Sequence, residues 1–236
     1  PRAKPLRVLP FPKVKADSSP PGLCYLCGNA LADATPLSRD HVPGRLFFKD
    51  PPPKGLLRIE THKACNQAHS ADEEYVRDAL SLLYTSRYDL VEPIARKTRR
   101  SLLRRPKKRA DLLGRIKREV DLVAAGGVFL GKSAEFVVKA ARFDSVMVKI
   151  AKGLHYHHTG QVIEGTDKIS AHFQSKYVAP EILVVAQHVH EWGDEFSYRG
   201  ATSPNTAIWW LNFYRSHLAI VTFVAGPLAA ARNPGE

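Results

Sequence analysis

The sequence is short of cysteine, of acidic residues and of long apolar runs. Three cysteines occur in 236 residues. A Cys24–Cys27 disulfide would leave Cys65 unpaired, and so sparse a set fits a reducing cytoplasm better than a secreted scaffold. No stretch of 18 or more apolar residues is present, which argues against a membrane-spanning helix. The first 22 residues hold no apolar core segment, which reads against a secretory signal. Asp and Glu number 23 against 35 Lys and Arg, a net charge of +12 and a pI near 9.7. That imbalance points to a polyanionic partner or an anionic membrane surface. No internal repeat or low-complexity block appears. The apolar fraction, 44%, is ordinary for a globular chain, and the length allows one large domain or two small ones.

What is present concentrates between Cys24 and Glu74. Cys24-Tyr-Leu-Cys27 and His62-Lys-Ala-Cys65 each place two sulfur or nitrogen donors with two residues between them. Two such pairs suit one tetrahedral zinc ion, so Cys24, Cys27, His62 and Cys65 are the expected structural ligands. Between them lies Arg39-Asp-His-Val-Pro43. Asp40 offers a hard oxygen ligand for Mg²⁺ or Mn²⁺, and the neighbouring His41 a general base near neutral pH. Asn66 directly follows the last zinc donor. On a helix starting near Ala64, His69 shares its face. Arg39, Arg45 and Lys63 lie close enough in sequence to clamp a phosphate or stabilise developing charge; simple surface solvation is the alternative.

The order Cys-x2-Cys, Asp-His, His-x2-Cys-Asn resembles the ββα-metal nucleases of the HNH and endonuclease VII kind, over residues 23–75. The resemblance implies that Asp40 and Asn66, with His69 as a further candidate, hold a catalytic divalent metal, that His41 activates water, and that zinc is structural. Two departures stand out. His62 replaces the more usual cysteine, and the segment Leu56–Thr61 lacks the asparagine that many members carry there.

Residues 1–22, with six prolines and five Lys or Arg, read as an extended basic arm, either along a nucleic-acid backbone or as a solvated tail. Three consecutive prolines, 51–53, mark an exposed turn between two strands. Ser70-Ala-Asp-Glu73 resembles a capping box opening a helix from Ala71 to about Ser86, with Glu73 and Glu74 as first-turn acids that complement the helix dipole or, alternatively, as residues reaching the active site. Residues 88–124 read as helical, interrupted at Pro106. Within them Arg96, Lys97, Arg99, Arg100, Arg104, Arg105, Lys107, Lys108 and Arg109 make nine basic residues of fourteen. These are candidate phosphate contacts, or a solvated face. Ala124-Ala-Gly-Gly127 reads as a helix stop, followed by a helix over Ser133–Leu154. His155, His157 and His158 read as a polar helix end rather than a metal site. Strands are expected at 161–164, 182–188, 195–198, 207–213 and 218–224, with His188 and His190 as strand polars and Trp192, Trp209 and Trp210 in the core.

The expectation is thus an α+β chain. It has a basic arm (1–22), a zinc-stapled nuclease module (23–88) and a helical and antiparallel-sheet accessory region (89–236). Its expected activity is metal-dependent endonucleolytic cleavage of DNA, with RNA left open, in the cytoplasm and without a membrane. A homodimer and a regulatory partner protein both remain open. The competing readings are a zinc-knuckle nucleic-acid binder without chemistry, and a nuclease effector controlled through its C-terminal region, as in phage defence or toxin systems.

Overall fold

A computed structural model describes residues 22–31, 36–83, 87–124, 126–163, 169–173, 186–203 and 206–224. All but one residue of the basic arm, most of the strand expected at 182–188 and the tail from 226 lie outside these. The described fold is α+β, with helices and antiparallel sheets. No described helix is long and apolar enough to cross a membrane.

The chain opens with a tight knuckle. Gly28 N–H donates to the Cys24 carbonyl and Cys24 N–H to the Asn29 carbonyl, both at 2.8 Å. Strands β1 (Leu37–Val42) and β2 (Leu57–His62) then pair antiparallel, with His41 opposite Arg58 and Asp40 opposite Ile59. Their alternation sends Asp40, Val42, Leu57, Ile59 and Thr61 inward, while Arg39, Arg58 and Glu60 stay exposed. Helix α1 (Lys63–Leu80) follows without a break. The Ser70–Glu73 segment is therefore helix interior, not a helix start, because the turn that carries Cys65 already nucleates the helix.

Helix α2 (Tyr88–Arg104) ends ahead of Pro106, which opens α3 (Pro106–Leu113) from the first helical position, where proline's missing N–H costs nothing. The helix expected on to residue 124 is instead strand β3 (Ile116–Val123), paired with β4 (Phe129–Phe136) in a separate hairpin. Gly126 and Gly127, both at positive φ, make its turn rather than a helix stop. Cross-strand ion pairs Arg118–Glu135 (2.5 Å) and Lys132–Glu119 hold its register. The next helix, α4, accordingly begins at Ala140 and runs to Thr159, closed by Gly160 in the left-handed conformation.

The remaining strands are β5 (Ile169–Phe173), β6 (His188–Trp192), β7 (Phe196–Ser203), β8 (Thr206–Phe213) and β9 (His217–Val224). They form one antiparallel sheet in the order β5-β9-β8-β7-β6. Residues 161–163 form no strand. The central strand β8 buries Trp209, Trp210 and Leu211 in succession, so both sheet faces are covered there. Trp192 is buried as well. A continuous apolar cluster runs from Tyr25 and Val42 through α1 and α4 to Trp209 and Phe223. Three polar contacts fasten the front of the chain to this sheet. Tyr214 Oη donates to the Phe47 carbonyl (2.8 Å), Trp192 Nε1 donates to the Gly55 carbonyl (3.1 Å), and Lys49 pairs with the buried Glu195 (3.2 Å).

Candidate metal centre and its buried neighbour

Four donors meet at the junction of the knuckle, the end of β2 and the first turn of α1. Ligand atoms of Cys24, Cys27, His62 and Cys65 all lie within 4.8 Å of one another, and none of the thiols is in a disulfide. His62 Nδ1 lies 3.4 Å from Cys27 Sγ and 3.9 Å from Cys65 Sγ, while Nε2 sits 3.1 Å from the Ala30 carbonyl. A carbonyl can only accept, so it fixes the proton on Nε2 and leaves Nδ1 free to bind a metal. Burial raises the Cys24 thiol, but the Thr61 hydroxyl at 2.8 Å and backbone donors from His62, Cys27 and Leu26 outweigh it and bring it down to about 7. Burial and the neighbouring thiols Cys27 and Cys24 push Cys65 up to about 12, so crowded sulfurs resist ionising together without a cation. This three-sulfur, one-nitrogen set fits a structural zinc ion.

Beside it lies a second cluster, entirely of oxygen and nitrogen. Tyr25, the residue after Cys24, is buried and donates its hydroxyl to Asp40 Oδ2 at 2.5 Å. Burial, then the charge of Asp40, hold the Tyr25 phenol well above its ordinary range. On α1, Asn66, His69 and Glu73 fall at i, i+3 and i+7, one stripe. On α4, Ser145, Lys149 and Gly153 make the facing stripe at i, i+4 and i+8. Gly153 permits the approach, since a Cβ there would lie 2.8 Å from Val42 Cγ2 and 3.3 Å from Tyr25. Between the stripes sits the Lys149 ammonium, 2% exposed. It reaches Asp40 Oδ2 at 3.0 Å, Asp40 Oδ1 at 3.2 Å, Asn66 Oδ1 at 3.3 Å and Glu73 Oε1 at 2.8 Å.

Asp40 and Asn66 therefore converge, as expected of them, but on an ammonium. Their oxygens are of the kind Mg²⁺ or Mn²⁺ takes. Every one of them already faces Lys149, and the set as arranged does not fit a divalent ion. His69 lies next to this seat, with its Nδ1 3.3 Å from Ser145 Oγ. Burial, then Lys149, lower its proton affinity and keep it neutral. His41 takes the other face of β1, opposite Arg58, and its imidazole has no side-chain hydrogen bond among the described residues. Burial first, then the cations Arg45 and Arg58, depress its pKa, so it is uncharged at neutral pH.

The expected phosphate-binding run divides. Arg96 pairs with Glu92, Lys97 with Asp50 and the Phe48 carbonyl, Arg105 with Glu74, and Lys108 with Glu74 and the buried Asp78. These four are engaged within the chain because acids of α1, of α2 itself and of the loop at Asp50 face them. Arg99, Arg100, Arg104, Lys107 and Arg109 are exposed and form no ion pair among the described residues. Arg45 and Lys63 are likewise exposed, and Arg39 has only a loose contact with Glu60 at 3.9 Å.

Sequence reasoning did not single out Lys149 or Tyr25; of its two readings for Glu73, a first-turn acid or a residue reaching the site, the contact with Lys149 beside Asp40 favours the second. The signal for Lys149 was a lone cation inside the apolar stripe of Val146, Met147 and Ile150. Elsewhere, His158 and His188 stack at 4.1 Å, and His158 lies 2.9 Å from Tyr198 Oη, a packed polar helix end. No protein-family model, no curated protein and no solved structure matches this chain.

Proposed function

We propose that this chain is a nuclease that hydrolyses phosphodiester bonds in DNA, its scaffold stapled by zinc on Cys24, Cys27, His62 and Cys65. The observation that carries this reading is a neutral His41 on the outer face of β1, opposite Arg58 and in the field of Arg45, next in the chain to the Asp40 that meets Asn66 at one cation.

In this reading zinc has no chemical step. It locks the knuckle, the β2 end and the α1 start, and so fixes the strand that carries His41. Arg45 and Arg58 hold the scissile phosphate against the hairpin face. His41 takes a proton from water, and the hydroxide oxygen attacks phosphorus. The bond from phosphorus to the 3′ oxygen breaks, and the leaving alkoxide takes a proton from solvent. A 5′ phosphate and a 3′ hydroxyl remain. The exposed cations of α2 and α3 add backbone contacts without reading sequence.

The test is nicking of supercoiled plasmid by zinc-loaded protein. Wild type should nick, and His41→Ala should lose about 10²-fold or more of the rate. Equal rates in the two proteins would refute the assignment. A binder without chemistry is the second reading, favoured by the ammonium standing where a Lewis acid would act; it predicts retarded DNA on a gel and no nicks. Control through the C-terminal region has one observation of its own, that Lys149 and Ser145 both come from α4.

A further inference from the structure

Buried lysines with three oxygen partners are rare enough to need an explanation. A fully buried charge is costly unless paired and hydrogen-bonded. Lys149 meets that condition fully: two carboxylates and one amide oxygen surround it, and Asp40 Oδ2 also accepts from the Tyr25 hydroxyl. The helix that delivers it is not peripheral. Val146, Met147, Ile150, Ala151 and Leu154 of α4 are all in the apolar core, and Gly153 is pressed against Val42 and Tyr25 one turn on. Withdrawing Lys149 would leave the carboxylates of Asp40 and Glu73 buried without a cation. Exchanging it for an ion in place would strand a buried ammonium without partners.

We infer that Lys149 is the permanent resident cation of the Asp40–Asn66–Glu73 seat, a protein-supplied replacement for a divalent ion. Lys149 is a positioning residue: sealed from solvent, it sets Asp40 and Asn66 and, through Asp40, the strand end that carries His41. For catalysis this rests on the nuclease reading above, and it makes that chemistry independent of added divalent metal. Occupancy of the seat itself does not depend on that reading.

The experiment titrates Mn²⁺ into the zinc-loaded full chain in metal-depleted buffer, following thermal unfolding and Mn²⁺ electron paramagnetic resonance. Wild type should show no Mn²⁺ site sensitive to Asp40→Asn, and its Tm should not move. Lys149→Ala should melt lower, and 1 mM Mn²⁺ should raise its Tm by roughly 5 °C. That gain should vanish in Lys149→Ala/Asp40→Asn. A Mn²⁺ site in wild type that Asp40→Asn abolishes would overturn the inference, as would a Lys149→Ala protein blind to Mn²⁺. Should Lys149→Ala fail to fold, the wild-type titration decides alone. Absence of nicking under every condition bears on the nuclease reading only, since the Mn²⁺ measurements do not use activity.

Discussion

At the scale of single residues, the hydroxyl of Tyr25 joins two sites through one peptide link, because Cys24 precedes it and Asp40 accepts from it. Tyr25→Phe leaves Asp40 buried with one fewer donor. It should cost about 1–3 kcal/mol in a denaturant titration of zinc-loaded protein, with little change in slope. At the zinc cluster, the protein should bind one equivalent of zinc, and Cys27→Ser should lower that stoichiometry in a chelator-release assay. The pairs 24/27 and 62/65 were legible in the sequence because donors with two residues between them meet by local geometry alone. Lys149 and Asp40 are 109 residues apart, and only packing of α4 on the hairpin brings them together. A lone lysine in an apolar stripe signals burial but not its partner.

At the scale of elements, two glycines carry opposed terms. In mid-helix, Gly153→Ala gains up to about 1 kcal/mol of helix propensity. It also forces a methyl to 2.8 Å from Val42 and 3.3 Å from Tyr25, and such overpacking typically costs about 1–3 kcal/mol. Overpacking should win, and Gly153→Ala should lower Tm. The β7 glycine, Gly200, is tighter still, with Trp209 carbons 2.3 Å and 2.5 Å from where its Cβ would be. The strongest strands, β8 and β9, were readable from β-branched and aromatic runs. The β3–β4 hairpin was not, because Lys117, Arg118, Glu119 and Asp121 dilute its apolar alternation and resemble a charged helix surface. Its pairing is satisfied by cross-strand charges, which single-segment periodicity does not reveal.

At the scale of the whole molecule, charge and acid sensitivity follow from different groups. The five exposed, unpaired cations of α2 and α3 predict a DNA affinity whose logarithm falls with log salt at a slope of about −4.5, by fluorescence anisotropy. Charge reversal at Arg99, Arg100 and Arg104 should flatten it. Acid acts on histidines wholly or partly buried. Burial, then His188, His157, His190 and His155, lower His158 to about 3, and burial lowers His217 to about 4. Both are neutral in the fold and protonate near 6.5 once unfolded. Their contribution is whole above about pH 6.5 and is lost as pH falls from there toward 3–4. Tm at pH 4.5 should therefore lie below that at pH 7.5, and His158→Gln should shrink the difference. Zinc bound at the sulfur site would be released over part of this range, so only the part sensitive to His158 is the histidines' own. The β3–β4 hairpin, finally, keeps Val123, Val128, Phe129 and Leu130 exposed and closes at its base through the Val137 N–H to the Arg115 carbonyl. For the protein engineer it is a detachable handle. A short Gly-Ser bridge in place of residues 117–135, or a fluorophore grafted at its tip, should leave melting behaviour and zinc content as they are, and removing those apolar side chains should improve solubility.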